Sequence, residues 1–278
     1  MESKMAISAS EVNKLRQQTG AGMMDCKKAL EEANGDFEQA IDFLRKKGQK
    51  VAANRQDRDA KEGLVIARVS ADAKHGSLVV VNCETDFVAI NADFVAFANT
   101  ISQISIDKNP ASIEAFNSLP YNNNISVSDK FIEQIGKIGE KIQLSYYQTV
   151  SVANVVAYNH PGNKLACVVG FTKSVSEEVA KNIAMQVAAM GAVAVDKADV
   201  DTKTLERELD IAREQARAEG KAEDMIEKIA QGKLNKFYKE STLLNQEFIK
   251  DNKKTIRQYL QEIDKDLSVT DFKRYQLS

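Results

Sequence analysis

Glu84-Thr85-Asp86-Phe87-Val88-Ala89-Ile90-Asn91-Ala92-Asp93-Phe94-Val95-Ala96 follows the apolar run Leu78-Val79-Val80-Val81. That run is β-branched and reads as a buried strand, so the stretch marks a strand-to-helix join. The tetrad Asp-Phe-Val-Ala occurs twice, seven residues apart, which puts both copies on one side of any helix that covers both. Phe87, Phe94 and Phe97 then share a face. Thr85-Asp86 lies at the join, where a side-chain oxygen accepts the free N–H groups of a first helical turn. Two readings of Phe87 follow. In one it enters the core beneath a capped helix. In the other an acidic residue and an aromatic stand together at the tip of a rigid turn, the usual form of a binding hot spot. The residues alone leave both open.

Around this stretch the chain carries a weak internal repeat. Leu64 to Val69 reads as a strand, Ala71 to Gly76 as a turn holding His75, and Leu78 to Cys83 as a second strand before the helix. Later, Val155 to Tyr158 is a strand, Asn159-His160-Pro161-Gly162 a turn, Leu165 to Phe171 a strand and 175–190 a helix. That second helix shows a Ser174/Glu177 capping box, with Val179, Ile183, Ala184 and Val187 on one face. Two strand–turn–strand–helix units imply two related α+β subdomains. The two histidines have no third ligand nearby and read as turn residues rather than a metal pair. Between the units Phe131, Ile135, Ile138 and Ile142 mark a further helix.

Upstream, residues 6–48 read as three short helices. Ser8 and Glu11 form a capping box, and Val12 and Leu15 give the first apolar edge before the Thr19-Gly20-Ala21-Gly22 turn. Cys26, Ala29, Leu30 and Ala33 line the second helix, which stops at Asn34-Gly35. Asp36 caps the third, with Phe37, Ala40, Ile41 and Leu44 on one face and Gly48 as terminator. Such a bundle resembles a ubiquitin-associated domain, a type that binds through the loop between its first two helices. Here that loop holds Met23-Met24, either a core pair or, if exposed, an adaptable contact surface. Gly20-Ala-Gly22 followed by Lys27-Lys28 is no phosphate loop, because the Gly-Lys-Ser/Thr end and the preceding strand are missing. Residues 49–62 are polar and charged, the composition of a solvated linker or of the exposed end of a helix, so that the head is expected to be tethered to the body rather than packed into it.

Downstream, 202–218 and 221–238 are two charged helical runs broken at Glu219-Gly220. Leu205, Leu209, Ala212 and Ala216 form a narrow seam on the first, and Ala222, Met225, Ile226 and Ile229 one on the second. So thin a stripe reads as a protruding antiparallel coiled coil, either a solvated hairpin or a protein contact. The chain returns with a helix at Ile256, Tyr259, Leu260 and Ile263 and a last strand from Ser268 to Gln276. The fold class is therefore α+β. The expected divisions are a head at 1–48, a linker at 49–62, core subdomains at 63–150 and 151–201, a hairpin at 202–238 and a return to the core at 239–278.

The chain has 278 residues, which suits two or three small domains, and 43% hydrophobic content, which suffices for real cores. Charges nearly cancel, at −2, which argues against nucleic-acid binding through a general basic field. No apolar run approaches the roughly 20 residues that span a bilayer. Met1-Glu-Ser-Lys-Met5 carries no signal-peptide pattern, and Met5 could equally be a start. Cys26, Cys83 and Cys167, odd in number and without a CxxC pair, read as reduced thiols of a cytosolic protein.

The residues resemble bacterial elongation factor Ts over essentially the whole chain. The most specific pieces are Thr19-Gly-Ala-Gly-Met-Met-Asp-Cys-Lys-Lys-Ala-Leu30 and Asn82-Cys-Glu-Thr-Asp-Phe-Val-Ala89. Lys137-Ile-Gly-Glu140 and Ile183-Ala-Met-Gln-Val-Ala-Ala189 fall in the expected order. The resemblance implies a cytoplasmic nucleotide-exchange factor for the GTPase elongation factor Tu, with no cofactor of its own. By position, Arg16, Met23, Met24 and Lys27 look like the head's contact with a helix of the GTPase domain. Asp86 and Phe87 look like a wedge inserted between two of its helices near the magnesium and phosphate site. Gln186 stands where the family often has histidine, at a position that looks like a contact with the GTPase's third domain. The chain also ends soon after its last strand, without the extra C-terminal helical module of some members. Two other classes compete: a ubiquitin-associated-like adaptor with the body as spacer, and an enzyme. The Thr85–Val88 turn and the repeated units disfavour the first. No Ser/His/Asp, Cys/His or metal-spaced set supports the second.

Overall fold

A computed structural model describes residues 7–122 and 125–278, so Met1 to Met5, examined above for a leader pattern, lie outside the described residues. Helices α1 (Ala9–Thr19), α2 (Met23–Glu32) and α3 (Phe37–Asn54) come first. Then follow β1 (Glu62–Val69), β2 (His75–Cys83), α4 (Asp86–Ala89), α5 (Ala92–Lys108), α6 (Ile113–Ser118), α7 (Val127–Ile138) and β3 (Gln143–Ser151). The rest is β4 (Asn154–Asn159), β5 (Leu165–Phe171), α8 (Glu177–Met190), α9 (Thr202–Ala218), α10 (Glu223–Ser241), β6 (Glu247–Phe248), β7 (Asp251–Thr255), α11 (Ile256–Ile263) and β8 (Val269–Gln276). Strands β1, β2 and β3 form one sheet in that order, β4, β5 and β8 a second, and β6 pairs with β7. This is the α+β architecture read from the sequence, with the strand–strand–helix unit repeated as β1–β2–α5 and β4–β5–α8.

The chain divides into two compact units, Met1–Ile66 with Val79–Tyr147 and Leu277–Ser278, and Ala67–Leu78 with Gln148–Gln276. In the first, Val79, Val81, Phe94, Ile101 and Phe116 are buried together beside Phe97 and Phe131, whose rings meet edge-on at 5.0 Å. In the second, Cys167, Val169 and Phe171 of β5 pack with Ile183 and Val187 of α8 and with Ile256 and Leu260 of α11. The three cysteines are buried, and none is in a disulfide. Burial pushes the Cys167 thiol up to about 12, which keeps it protonated and inert.

The head is built as its caps foretell. Ser8 and Glu11 exchange bonds in a capping box, Gly20 ends α1 at φ 68°, and Asp36 accepts from the Gln39 N–H at 3.0 Å. Leu15, Cys26, Ala29, Leu30 and Ala40 form its core. Gly48, however, does not terminate the third helix, and of the two readings of the charged stretch residues 49–54 take the second, the end of a helix. The cause is a close approach to α7. A Cβ on Gly48 would lie 2.9 Å from the Ile132 carbonyl oxygen, and one on Gly136 would lie 3.1 Å from the Gly48 Cα. Two bare backbones let the helices close together, and that packing offsets the roughly 1 kcal/mol that glycine costs a helix. The head is packed onto α7, not merely tethered.

Smaller differences have equally local causes. Ile142 lies beyond α7, because Gly139 at φ 79° ends that helix by donating its N–H to the Ile135 carbonyl. Ser176, not Ser174, caps α8, accepting from the Val179 N–H at 3.4 Å. His75 opens β2 with its ring 2.9 Å from the Ser151 hydroxyl, and His160 stands 2.9 Å from the Tyr158 hydroxyl. Helices α9 and α10 form the expected hairpin, turning at Gly220 (φ 71°). Its buried seam is Ala212 and Ala216 against Ile226, Ala230 and Leu234, while Met225 is exposed. Arg213 ties the two helices by a forked pair to Glu227 at 2.7 and 3.2 Å.

Candidate partner-binding site

Two surfaces of the first unit carry the residues singled out by sequence. The first is a groove on the head, lined by Ile7, Val12 and Asn13, by Arg16 of α1 and by Met23, Met24 and Lys27 of α2. Met23 is 59% and Met24 73% exposed, so the pair is surface and not core. The α2 helix begins at Met23 because Gly22 caps it in an extended conformation, which projects both thioethers from its first turn. Among the described residues that line the groove none is acidic. An apolar, deformable floor with two cations at its edge fits an amphipathic helix carrying acidic residues.

The second surface is the tip after β2. Here the two readings of Phe87 part: the helix is capped, as the bland reading has it, yet Phe87 is 78% exposed and belongs to no core. The single helix over both Asp-Phe-Val-Ala copies does not form. Asn91, extended at ψ 131°, starts α5 afresh by accepting from the Asp93 and Phe94 N–H groups. That break separates the two phenylalanines, so Phe94 is fully buried while Phe87 projects. Ile90, one turn after Phe87, is also 78% exposed. Asp86 is exposed beside the ring, its carboxylate accepting from the Phe87 N–H at 2.9 Å.

The tip stands on a polar clamp. Thr85 caps α4 by accepting from the Val88 N–H at 3.4 Å, and its hydroxyl donates to Glu140 at 2.7 Å. The other Glu140 oxygen accepts the Glu84 and Thr85 N–H groups at 3.1 and 3.0 Å. Glu84 in turn accepts from the Lys141 N–H at 2.6 Å and pairs with Arg55 at 2.8 Å and Arg58 at 3.4 Å. Burial pushes the Glu84 carboxyl up, but the Lys141 amide and the two guanidiniums outweigh it and hold the group below the usual carboxylate range.

Comparison with known proteins decides what these surfaces belong to. The family model described as Elongation factor TS matches residues 84–278. Proteins named Elongation factor Ts align nearly end to end. That of Christiangramia forsetii is 51% identical over 273 residues, covering 98% of each chain. That of Cytophaga hutchinsonii is 52% identical over 275 residues, covering 98% of this chain and 99% of its own. A more distant one, from Prosthecochloris aestuarii, is 44% identical over 284 residues, 98% of both. The chain belongs to the elongation factor Ts family. The head groove gathers Arg16, Met23, Met24 and Lys27, and the tip presents Asp86 and Phe87. These are the residues that resemblance to elongation factor Ts marked.

Gln186, which the resemblance also marked, lies on neither of these surfaces. It is fully buried in α8. Its amide donates to the Glu247 carbonyl at 3.0 Å and to the Gln246 side chain at 3.2 Å, and its oxygen accepts the Ile249 N–H at 3.0 Å. A direct partner contact needs surface that this side chain lacks; what it does is fix the β6–β7 turn that displays Ile249. Sequence reasoning missed Ile90, Glu84 and Glu140 as parts of the tip. Asn91 before Ala-Asp is an N-cap signal that could have revealed the break and, with it, the exposure of Ile90.

Proposed function

We propose that this protein works on elongation factor Tu by two-point attachment, the head groove anchoring and the Phe87 tip displacing. By family membership it is a guanine-nucleotide exchange factor and not an enzyme; as a translation factor it works in the cytoplasm. No bond is made or broken. The factor binds the nucleotide-free GTPase better than the GDP·Mg²⁺ form, and linkage requires that GDP then weaken by the same factor. Magnesium bridging the phosphates is a large part of nucleotide retention. An aromatic driven between the helices that support that site loosens the ion and the phosphate loop together. A coupling of about 4 kcal/mol, appearing wholly in the off-rate, speeds GDP release roughly a thousandfold.

The observation that carries this reading is the exposed ring of Phe87 on a clamped turn. A large exposed aromatic is costly to display and is the residue type on which binding energy concentrates. The test is release of a fluorescent GDP from elongation factor Tu, followed across factor concentrations. Variants of the Met23–Met24 pair should raise the half-saturating concentration, and variants of Phe87 should lower the maximal rate. If both kinds altered only the half-saturating concentration, the division between anchor and wedge would be wrong.

A further inference from the structure

We propose that Glu84 and Glu140 are positioning residues for exchange, locking the base of the Phe87 tip to the end of the head's long helix so that docking the head sets where the ring goes. This rests on the wedge reading of Phe87. Three stretches distant in sequence meet at these two carboxylates: 55–58 just after α3, 84–85 at the strand–helix join, and 140–141 after α7. A fourth tie closes the knot, since the Lys141 ammonium donates to the Gln56 and Arg58 carbonyls at 2.7 and 3.0 Å. The head helix α3 runs unbroken from the head to this knot and is packed on α7 along the way.

The two carboxylates have separate tasks. Glu140 takes the two backbone N–H groups at the join and the Thr85 hydroxyl hydrogen. With its hydrogen so used, the hydroxyl can turn only a lone pair toward the Val88 N–H, which is the cap that starts α4. Glu140 therefore fixes the direction in which Phe87 leaves the join without touching the ring. Glu84, with a side chain only 13% exposed, joins that turn to Arg55 and Arg58. The Glu84–Arg55 bond joins charged partners that are both largely sheltered, and such a bond is stiff and directional. Both carboxylates are taken up by groups of this chain, so their part is to hold the tip. A wedge works through orientation, and small displacements of an oriented group cost rate out of proportion to their size.

The experiment uses the full chain and elongation factor Tu loaded with fluorescent GDP, with release measured across factor concentrations and melting followed alongside. Glu140→Ala should lower the saturating rate by about 10-fold and shift the half-saturating concentration by less than about 3-fold. Glu140→Gln keeps an oxygen for both N–H groups and an amide that can donate to Thr85, and should stay within about 3-fold of wild type. In a Phe87→Ala background, Glu140→Ala should add less than about 2-fold, because its effect passes through the ring. Should Glu140→Ala not fold, Glu84→Gln, which keeps shape but removes the charge facing Arg55 and Arg58, carries the same cycle. The proposal is overturned if the Glu140→Ala or Glu84→Gln loss multiplies the Phe87→Ala loss in full, or if Glu140→Ala or Glu84→Gln alone releases GDP at the wild-type rate. If Phe87→Ala alone releases GDP like wild type, the wedge reading falls first and takes this proposal with it.

Discussion

Phe87→Ala separates a displayed ring from a packed one. In a core, Phe→Ala costs about 3–5 kcal/mol, the lost transfer of the ring plus the cavity it leaves. Phe87 is 78% exposed, so roughly a fifth of that applies, under about 1 kcal/mol. For a chain of this size the melting temperature should fall by no more than about 3 °C. Exchange should suffer far more. An aromatic anchor is worth about 2 kcal/mol or more at an interface, and at 1.4 kcal/mol per factor of ten this predicts at least about a 30-fold slower release at saturating factor. The assay pairs thermal melting with fluorescent-GDP release. Asp86→Ala belongs beside it: Thr85 is the cap, so losing the Asp86 carboxylate should scarcely move the melt. The Asp86/Phe87 double variant should lose less than the two single losses combined, because adjacent residues act as a unit. A melting drop of about 8 °C or more with normal release by the folded fraction would return Phe87 to the core. An unchanged melt with release within about 3-fold of wild type would refute the wedge.

Replacing Met23 and Met24 together by alanine should raise the half-saturating concentration about 10-fold and leave the maximal rate and the melt unchanged, as measured by the same release titration. Replacing the α9–α10 hairpin with a short Gly/Ser link should keep most of the saturating exchange rate, since its seam of Ala212, Ala216, Ile226, Ala230 and Leu234 stands outside the core of its unit; near-total loss in a folded protein would make the hairpin a contact site. Gln186→Leu strips three hydrogen bonds from a fully buried side chain. It should destabilise by about 1–3 kcal/mol, and an unmoved melting temperature would show that the β6–β7 turn does not depend on it.

Much of the fold was legible because it rests on short-range rules. Caps at Ser8 and Asp36, turns at Gly20 and Asn34-Gly35, and the β-branched run before Cys83 all act within a few residues. The failures lie where distant segments decide. Gly48 reads as a terminator by its own propensity, yet Ile132 and Gly136, far along the chain, make it a contact point inside a helix. Gln186 is offered to a partner by the resemblance alone, and only the return of the chain at 246–249 encloses it. The four head residues that the resemblance marked fall together because they come from one helical hairpin, where sequence neighbours are spatial neighbours.

Phe87 shows the same division most sharply. Phe87 and Phe94 occupy the same place in the same tetrad, so the tetrad itself does not separate them, yet Phe94 is fully buried and Phe87 78% exposed. Burying a phenylalanine is worth about 1.5–3 kcal/mol, a gain that the second copy takes and the first forgoes. Two features hold the first copy where it is. Asn91 restarts the helix, and Glu140 and Glu84 pin the turn from behind. The turn that carries the ring is thus held in part from positions 55–58 and 140–141, which share no motif with it in sequence. A side chain kept out against its own hydrophobicity reaches a partner already oriented, with little entropy left to lose on binding.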